Sequence, residues 1–191
     1  FAIDFASTSD QLKQGNTDYF ACVIGKAIPG GGIVLVGGYR DKVPTHVSLA
    51  KIQALAAIHY PLAIGVEKWG KGEEFKNQLI YSTNLPIIPL PLQGSPVRSK
   101  GQRFETGLAS AFVNGRIWVS SVKDDFLKAF EDEWISWDGA LQKSRTGHDD
   151  TLDAVYWLME IALCQVMQLQ AAGLPMRKER QPSPMTGIGS Y

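Results

Sequence analysis

Three carboxylates and a histidine stand within Gly147-His148-Asp149-Asp150-Thr151-Leu152-Asp153, directly before an apolar run from Ala154 to Ala172. Residues three and four apart share a helix face, so Asp149 or Asp150, Asp153 and Glu160 form an acidic stripe, with Leu152, Val155, Leu158, Met159 and Ala162 packing elsewhere. A plainer role exists: one of these acids caps the helix and Asp153 answers the positive end of the macrodipole. Capping needs one acid, however, and several together ask for a cation. Two more isolated acids invite the same reading. Asp4 is the one ionisable group in Phe1-Ala2-Ile3-Asp4-Phe5-Ala6, and Glu67 ends the apolar stretch Leu62-Ala63-Ile64-Gly65-Val66. A carboxylate among apolar residues is costly unless it is paired or binds a cation.

The chemistry that such acids support is phosphodiester hydrolysis. That reaction needs an activated water and neutralised charge on the attacking and leaving oxygens, and two divalent ions roughly 3.5–4 Å apart supply both. Hard ions, Mg²⁺ or Mn²⁺, prefer carboxylate oxygens and water. Asp4 would bridge both ions, Glu67 would hold one and Asp149 or Asp150 the other. Asp153 is assigned to the surrounding shell. His148 is equally a ligand, a group orienting water or a hydrogen-bond partner of the helix start. Asp18 reads chiefly as a structural residue that ties down the turn after the first strand.

The elements that must position these groups follow from pattern. Phe1 to Ala6, Asp18 to Ile28 and Ile33 to Tyr39 read as strands joined by turns, among them Pro29-Gly30-Gly31-Gly32. Three such strands make an antiparallel meander. Pro44 opens a helix over about Thr45 to Tyr60, with Val47, Ile52, Leu55, Ala56 and Ile58 as its apolar face. A strand over Leu62 to Glu67, a helix over Gly70 to Thr83 and a strand over Leu85 to Leu90 follow. Gly70 and Gly72 imply a tight path from Glu67 into that helix. A helix over Lys100 to Val113, an extended piece over Arg116 to Ser120, a small helix over Asp124 to Glu133, a loop with Trp134 and Trp137, and a final helix at His148 complete the order. A meander followed by alternating helices and strands gives an α/β fold of ribonuclease H-like type, a mixed sheet with helices on both sides. In that layout the separated acids converge at one sheet edge. The folded domain spans 1–173, and the Pro-, Ser- and Gly-rich segment 174–191 reads as a flexible tail.

Composition bounds the rest. Of 191 residues, 45% are hydrophobic, enough for a real core, and 19 basic residues balance 19 acidic ones. Nucleic-acid binding must therefore use a local patch. Lys68 and Lys71 flank Glu67, Arg98, Lys100 and Arg103 surround a Pro/Gly loop, and Lys143 and Arg145 precede His148. Phosphate contacts from such residues give sequence-independent, salt-sensitive affinity. Trp69, Trp134 and Trp137 fit packing better than base stacking. Cys22 and Cys164 lie in apolar runs and read as buried, reduced thiols. The Ala154–Ala172 run carries Glu160 and several Gln, so no membrane span is expected. No signal peptide is expected, and a strand pattern beginning at Phe1 reads as a piece of a longer chain.

Ile3-Asp4-Phe5-Ala6, Gly15-Asn16-Thr17-Asp18-Tyr19, Gly65-Val66-Glu67-Lys68-Trp69-Gly70, Lys100-Gly101-Gln102-Arg103 and Gly147-His148-Asp149-Asp150-Thr151-Leu152-Asp153-Ala154, in this order, resemble the nuclease domain of the large terminase subunit of tailed bacteriophages. The resemblance reaches to about Ala172. It implies double-stranded DNA as substrate, cut with little sequence preference during viral genome packaging in the host cytoplasm. It also implies, as partners, an N-terminal ATPase domain, the portal protein and the small terminase subunit. This chain has no Gly-x-x-x-x-Gly-Lys-Ser/Thr loop, so the motor is expected outside it. The alternatives are another ribonuclease H-like nuclease, of resolvase or transposase type, and a non-catalytic docking module that grips DNA or the portal through Arg177, Lys178 and Arg180.

Overall fold

The computed structural model describes residues 1–4, 19–28, 32–68, 71–95, 98–137 and 148–171, without the side chains of Lys71 and of 165–171. Its strands are β1 (Ala2–Asp4), β2 (Phe20–Ile28), β3 (Gly32–Asp41), β4 (Ile64–Glu67), β5 (Ile87–Leu90) and β6 (Ile117–Val119). They form one mixed sheet in the order β5-β4-β1-β2-β3-β6. β1, β2 and β3 are the expected antiparallel meander, and β4, β5 and β6 join it in parallel, β4 beside β1 and β6 beside β3. The extended piece after Asn114-Gly115 is thus an edge strand of the sheet.

Alternation along the strands sorts the side chains into two cores. Ala2, Ala21, Val23, Ile33 and Leu35 face one layer of helices, and Ile3, Phe20, Cys22, Ile24, Ile64 and Val66 face the other. The second layer is α1 (Thr45–His59) and α2 (Lys71–Ser82), which contribute Ile52, Ala56, Phe75 and Leu79. The first holds α3 (Lys100–Gln102), a π-helical segment (Arg103–Ala109), α4 (Ser110–Val113), α5 (Asp125–Ser136) and α6 (Asp150–Ala171). Among the described residues no helix is long and apolar enough to cross a membrane.

Several expectations are corrected. The face of α1 is narrower than its apolar residues suggested: Ser48, Ile52 and Ala56 are buried, whereas Val47 and Ile58 are exposed. Leu62 is exposed as well, and β4 begins only at Ile64. Trp134 lies on α5 instead of in a loop, and its ring packs 4.9 Å from that of Phe112. Trp137 likewise meets Phe104 edge-on. Cys22 is buried, its thiol pushed up to about 12 by that burial, but Cys164 is only half-buried. The long helix starts at Asp150, not His148, and every residue from Asp150 to Met159 is buried. Asp150 and Asp153 therefore face protein as fully as its apolar stripe does, while Glu160 is half-buried.

The helix over Lys100 to Val113 is interrupted by a π-helical stretch where an unbroken α-helix was expected. Ser99 opens it with a capping box, its hydroxyl and Gln102 bonding each other's backbone N–H. The wider turns then lay Gly107 against Tyr156 of α6, where a Cβ would come within 2.8 Å of the ring. Insertions of this kind are frequent at functional sites, and this one begins at Arg103.

Candidate active site

Two acids are placed by strand register. Ala2 pairs with Gly65 and Ile3 with Val66, so the next step sets Asp4 beside Glu67 on adjacent parallel strands, about 4.8 Å apart in backbone spacing. Asp4 shares the parity of Ala2 and Glu67 that of Gly65, so both emerge on the α6 side of the sheet. Their carboxyl groups hydrogen-bond to each other. Gly65 is small because α6 lies close: a Cβ there would strike Ile161 and Leu90. Gly72 shows the tight path expected after β4, since a Cβ there would overlap the Glu67 carbonyl oxygen. Gly72→Ala is expected to push β4 and α2 apart, at a cost of about 1–3 kcal/mol, and to misplace Glu67. Thermal unfolding together with a plasmid-nicking assay checks this; nicking should fall more than stability alone explains.

The remaining acids come from the start of α6. Asp150, Asp153 and Trp157 stand at positions i, i+3 and i+7 and share one face. Trp157 Nε1 donates to Glu67 Oε1 at 3.1 Å, which fixes that carboxylate from above. Asp150 Oδ2 accepts the Tyr19 backbone N–H at 3.2 Å and lies 3.7 Å from His148 Nδ1. The His148 ring meets Tyr19 edge-on, 4.7 Å between centroids. The start of α6 is capped from outside the motif. That role falls to Glu133 of α5, which accepts from both the Thr151 N–H at 2.9 Å and the Thr151 hydroxyl. The acids of the motif are thereby released for other work.

Two cations enter from the π-helical side. Lys100 Nζ lies 2.5 Å from Asp149 Oδ1 and 2.9 Å from Asp153 Oδ2, and Arg103 Nη1 lies 2.8 Å from Asp153 Oδ1. Arg103 also lies beside two aromatic rings that meet each other edge-on, 5.2 Å from the centroid of Trp157 and 5.7 Å from that of Tyr156. The charged ends of these two residues, expected on DNA, point into the acids.

The electrostatics match this crowding. Asp4 is held well above the usual carboxylate range, by burial first and then by Asp153, Glu67 and Asp150, with Lys100 opposing. Glu67 is raised by burial and by Asp153, against the pull of Arg103, Trp157 and Asp4. Burial raises Asp153 too, although Lys100 and Arg103 resist it. Burial depresses the Lys100 ammonium, but Asp153 and Asp149 outweigh it and the group ends raised. Asp153 is therefore the charge that bears most on both strand acids, although its expected place was in support of them. Asp149, expected among the acids of the site, is turned to Lys100.

Among the described residues no three His, Cys, Asp or Glu side chains form a ready coordination shell; Asp153 and Asp149 are engaged by cations of the chain itself. The donors nonetheless suit a hard divalent ion. They are all oxygens, they repel one another, and Asp153 Oδ1 is buried with no directed hydrogen bond despite its ion pair. Of the other residues expected at the site, Arg98 is exposed and close enough to Tyr156 to act on its hydroxyl. Lys68 is half-buried, with its N–H on the Leu90 carbonyl at 3.0 Å. Asp18, Trp69, Lys143, Arg145 and the tail 174–191 lie outside the described residues, as does the side chain of Lys71.

Three contributors went unnoticed in the sequence. Trp157 was detectable, being one helical turn beyond Asp153. Glu133 and Arg40 were not, because their link to the site is purely spatial: Arg40 Nη2 lies 2.9 Å from Glu133 Oε1, and its guanidinium stacks 3.7 Å from the Tyr19 ring centroid. Burial pushes Glu133 up to about 7 despite its bonds from Thr151 and the charge of Arg40.

Comparison with solved structures finds the yeast mitochondrial Holliday junction resolvase Ydc2, at 10% sequence identity and a TM-score of 0.46, over 81% of this chain and 80% of that one. Comparison with curated proteins yields no match. A family model described as the terminase RNaseH-like domain matches residues 1–161, a span that runs from β1 with Asp4 through the acidic start of α6. The chain belongs to the terminase RNaseH-like domain family.

Proposed function

We propose that this chain is a divalent-metal-dependent endonuclease that cuts double-stranded DNA with little sequence preference during viral genome packaging. It would act in the host cytoplasm with an N-terminal ATPase domain, the portal protein and the small terminase subunit. The observation that carries the reading is the meeting of Asp4 and Glu67, from neighbouring strands, with Asp153 and Asp150 from the start of α6. Family membership supplies the nucleic-acid substrate class and the packaging context.

Asp4, Glu67, Asp153 and Asp150 would hold two ions of Mg²⁺ or Mn²⁺. When bound, such ions activate water and offset charge on the phosphate oxygens. The chain's own residues do the positioning. Trp157 aims Glu67 through its indole N–H, Arg103 clamps Asp153 while lying against two rings, and the Tyr19 N–H fixes Asp150. Exposed Arg98 and half-buried Lys68, near the same end of the sheet, suit phosphate contacts that are insensitive to base identity.

The test is incubation of the purified protein with supercoiled plasmid in Mn²⁺, Mg²⁺ or EDTA. Nicking and linearisation that require the metal and vanish in EDTA are expected. A protein that binds plasmid yet leaves it intact in either metal would instead be a docking module.

A further inference from the structure

Lys100 and Arg103 both reach Asp153, but the structure treats them differently. Arg103 is mostly buried and lies against the paired rings of Tyr156 and Trp157. Lys100 starts α3 and is 41% exposed, and its flexible stem brings the ammonium to Asp153 and Asp149 from the solvent side. A compact charge on a flexible stem is easily moved, whereas a stacked planar fork is not. The Lys100 ammonium also occupies Asp153 Oδ2, an oxygen that a divalent ion at this site would need.

We propose that Lys100 is an exchangeable internal cation: with no metal bound it neutralises Asp153 and Asp149, and a divalent ion binds by displacing it. This rests on the metal-dependent reading above. Two cations facing Asp4, Glu67, Asp153, Asp150 and Asp149 leave an excess of acid that one ammonium cannot satisfy. Displacement frees an ammonium at the rim of the site, beside exposed Arg98, where a DNA phosphate could take it up. Because coupling is reciprocal, anything that holds Lys100 away from the acids strengthens metal binding. The arrangement therefore favours metal loading when a phosphate backbone is present.

The experiment is Mn²⁺ binding without DNA, by calorimetry and by Mn²⁺-dependent thermal shift, on wild type, Lys100→Met, Lys100→Arg and Asp4→Asn. Lys100→Met should melt lower than wild type without metal. It should bind Mn²⁺ about tenfold more tightly, the order expected for removing one partly exposed like charge, and gain more in Tm from the ion. Lys100→Arg should stay near wild type. In parallel, amine labelling of wild type read by mass spectrometry should show Lys100 more reactive with Mn²⁺ than without, a measurement independent of how any variant folds. Wild type that binds Mn²⁺ while Lys100→Met binds it no better, or Lys100 labelling unchanged by Mn²⁺, overturns the exchange and leaves the metal site standing. Absence of Mn²⁺ binding in wild type and Lys100→Met alike, or undiminished binding in Asp4→Asn, overturns both.

Discussion

Asp4→Asn is expected to lower DNA cleavage by at least about 10³-fold, the scale of deleting one preorganised electrostatic group, while making the metal-free protein more stable. The two effects share a cause. Asp4 is buried and faces Asp153, Glu67 and Asp150, which Lys100 offsets in part, so ionising it strains the fold. Asn is nearly isosteric, can donate its amide N–H to the Glu67 carboxylate and cannot ionise. The sign with pH follows from linkage: a carboxyl whose folded pKa is raised contributes stability that is intact below its unfolded pKa and is lost as pH climbs through the folded one. Wild type should therefore lose stability from about pH 4 upward relative to the variant. The advantage of Asp4→Asn should be near zero at pH 4 and largest at pH 8, each kcal/mol appearing as about 2–4 °C in Tm. Thermal scans in EDTA across that range check it. A variant that is less stable than wild type at pH 8, or that cleaves normally, removes Asp4 from the centre of the site.

How much of this was legible without coordinates depends on the kind of contact. Strand acids were legible because apolar runs make a lone carboxylate conspicuous, and the order of strands and helices then sets Asp4 beside Glu67. Asp153 was misjudged because spacing along a helix says which residues share a face but not which of them reaches the sheet. With Asp149 one residue before α6 and Asp150 held by the Tyr19 N–H, Asp153 is left lying over the strand ends. Lys100 and Arg103 were noticed as cations, but charge in a sequence does not distinguish a solvent-facing lysine from one folded into acids. The exposed Val47 and Ile58 of α1 show the converse, since an apolar residue need not be buried. Glu133 carried no signal at all, its partners Arg40 and Thr151 being on other elements.

Glu133→Ala tests that hidden contact and should cost about 3–5 kcal/mol, the penalty for breaking a buried ion pair from one side, with partial exposure of Arg40 favouring the lower figure. Three losses coincide. The start of α6 loses its acceptor for the Thr151 N–H and hydroxyl, Arg40 loses its counter-charge, and a void opens between α5 and α6. Since that end of α6 carries Asp150 and Asp153, metal-dependent cleavage should fall even where the protein remains folded. The pH dependence runs opposite to that of Asp4→Asn. Glu133 is raised to about 7, chiefly by burial, so wild type draws most from it below its ordinary pKa near 4.5 and progressively less as pH rises through 7. The deficit of Glu133→Ala should therefore be larger at pH 5 than at pH 8, whereas the advantage of Asp4→Asn grows over the same interval. Chemical denaturation of both variants at the two pH values separates the cases. Equal deficits for Glu133→Ala at pH 5 and pH 8 would mean that the carboxyl titrates alike in folded and unfolded chains, the bonds from Thr151 and the charge of Arg40 then balancing its burial.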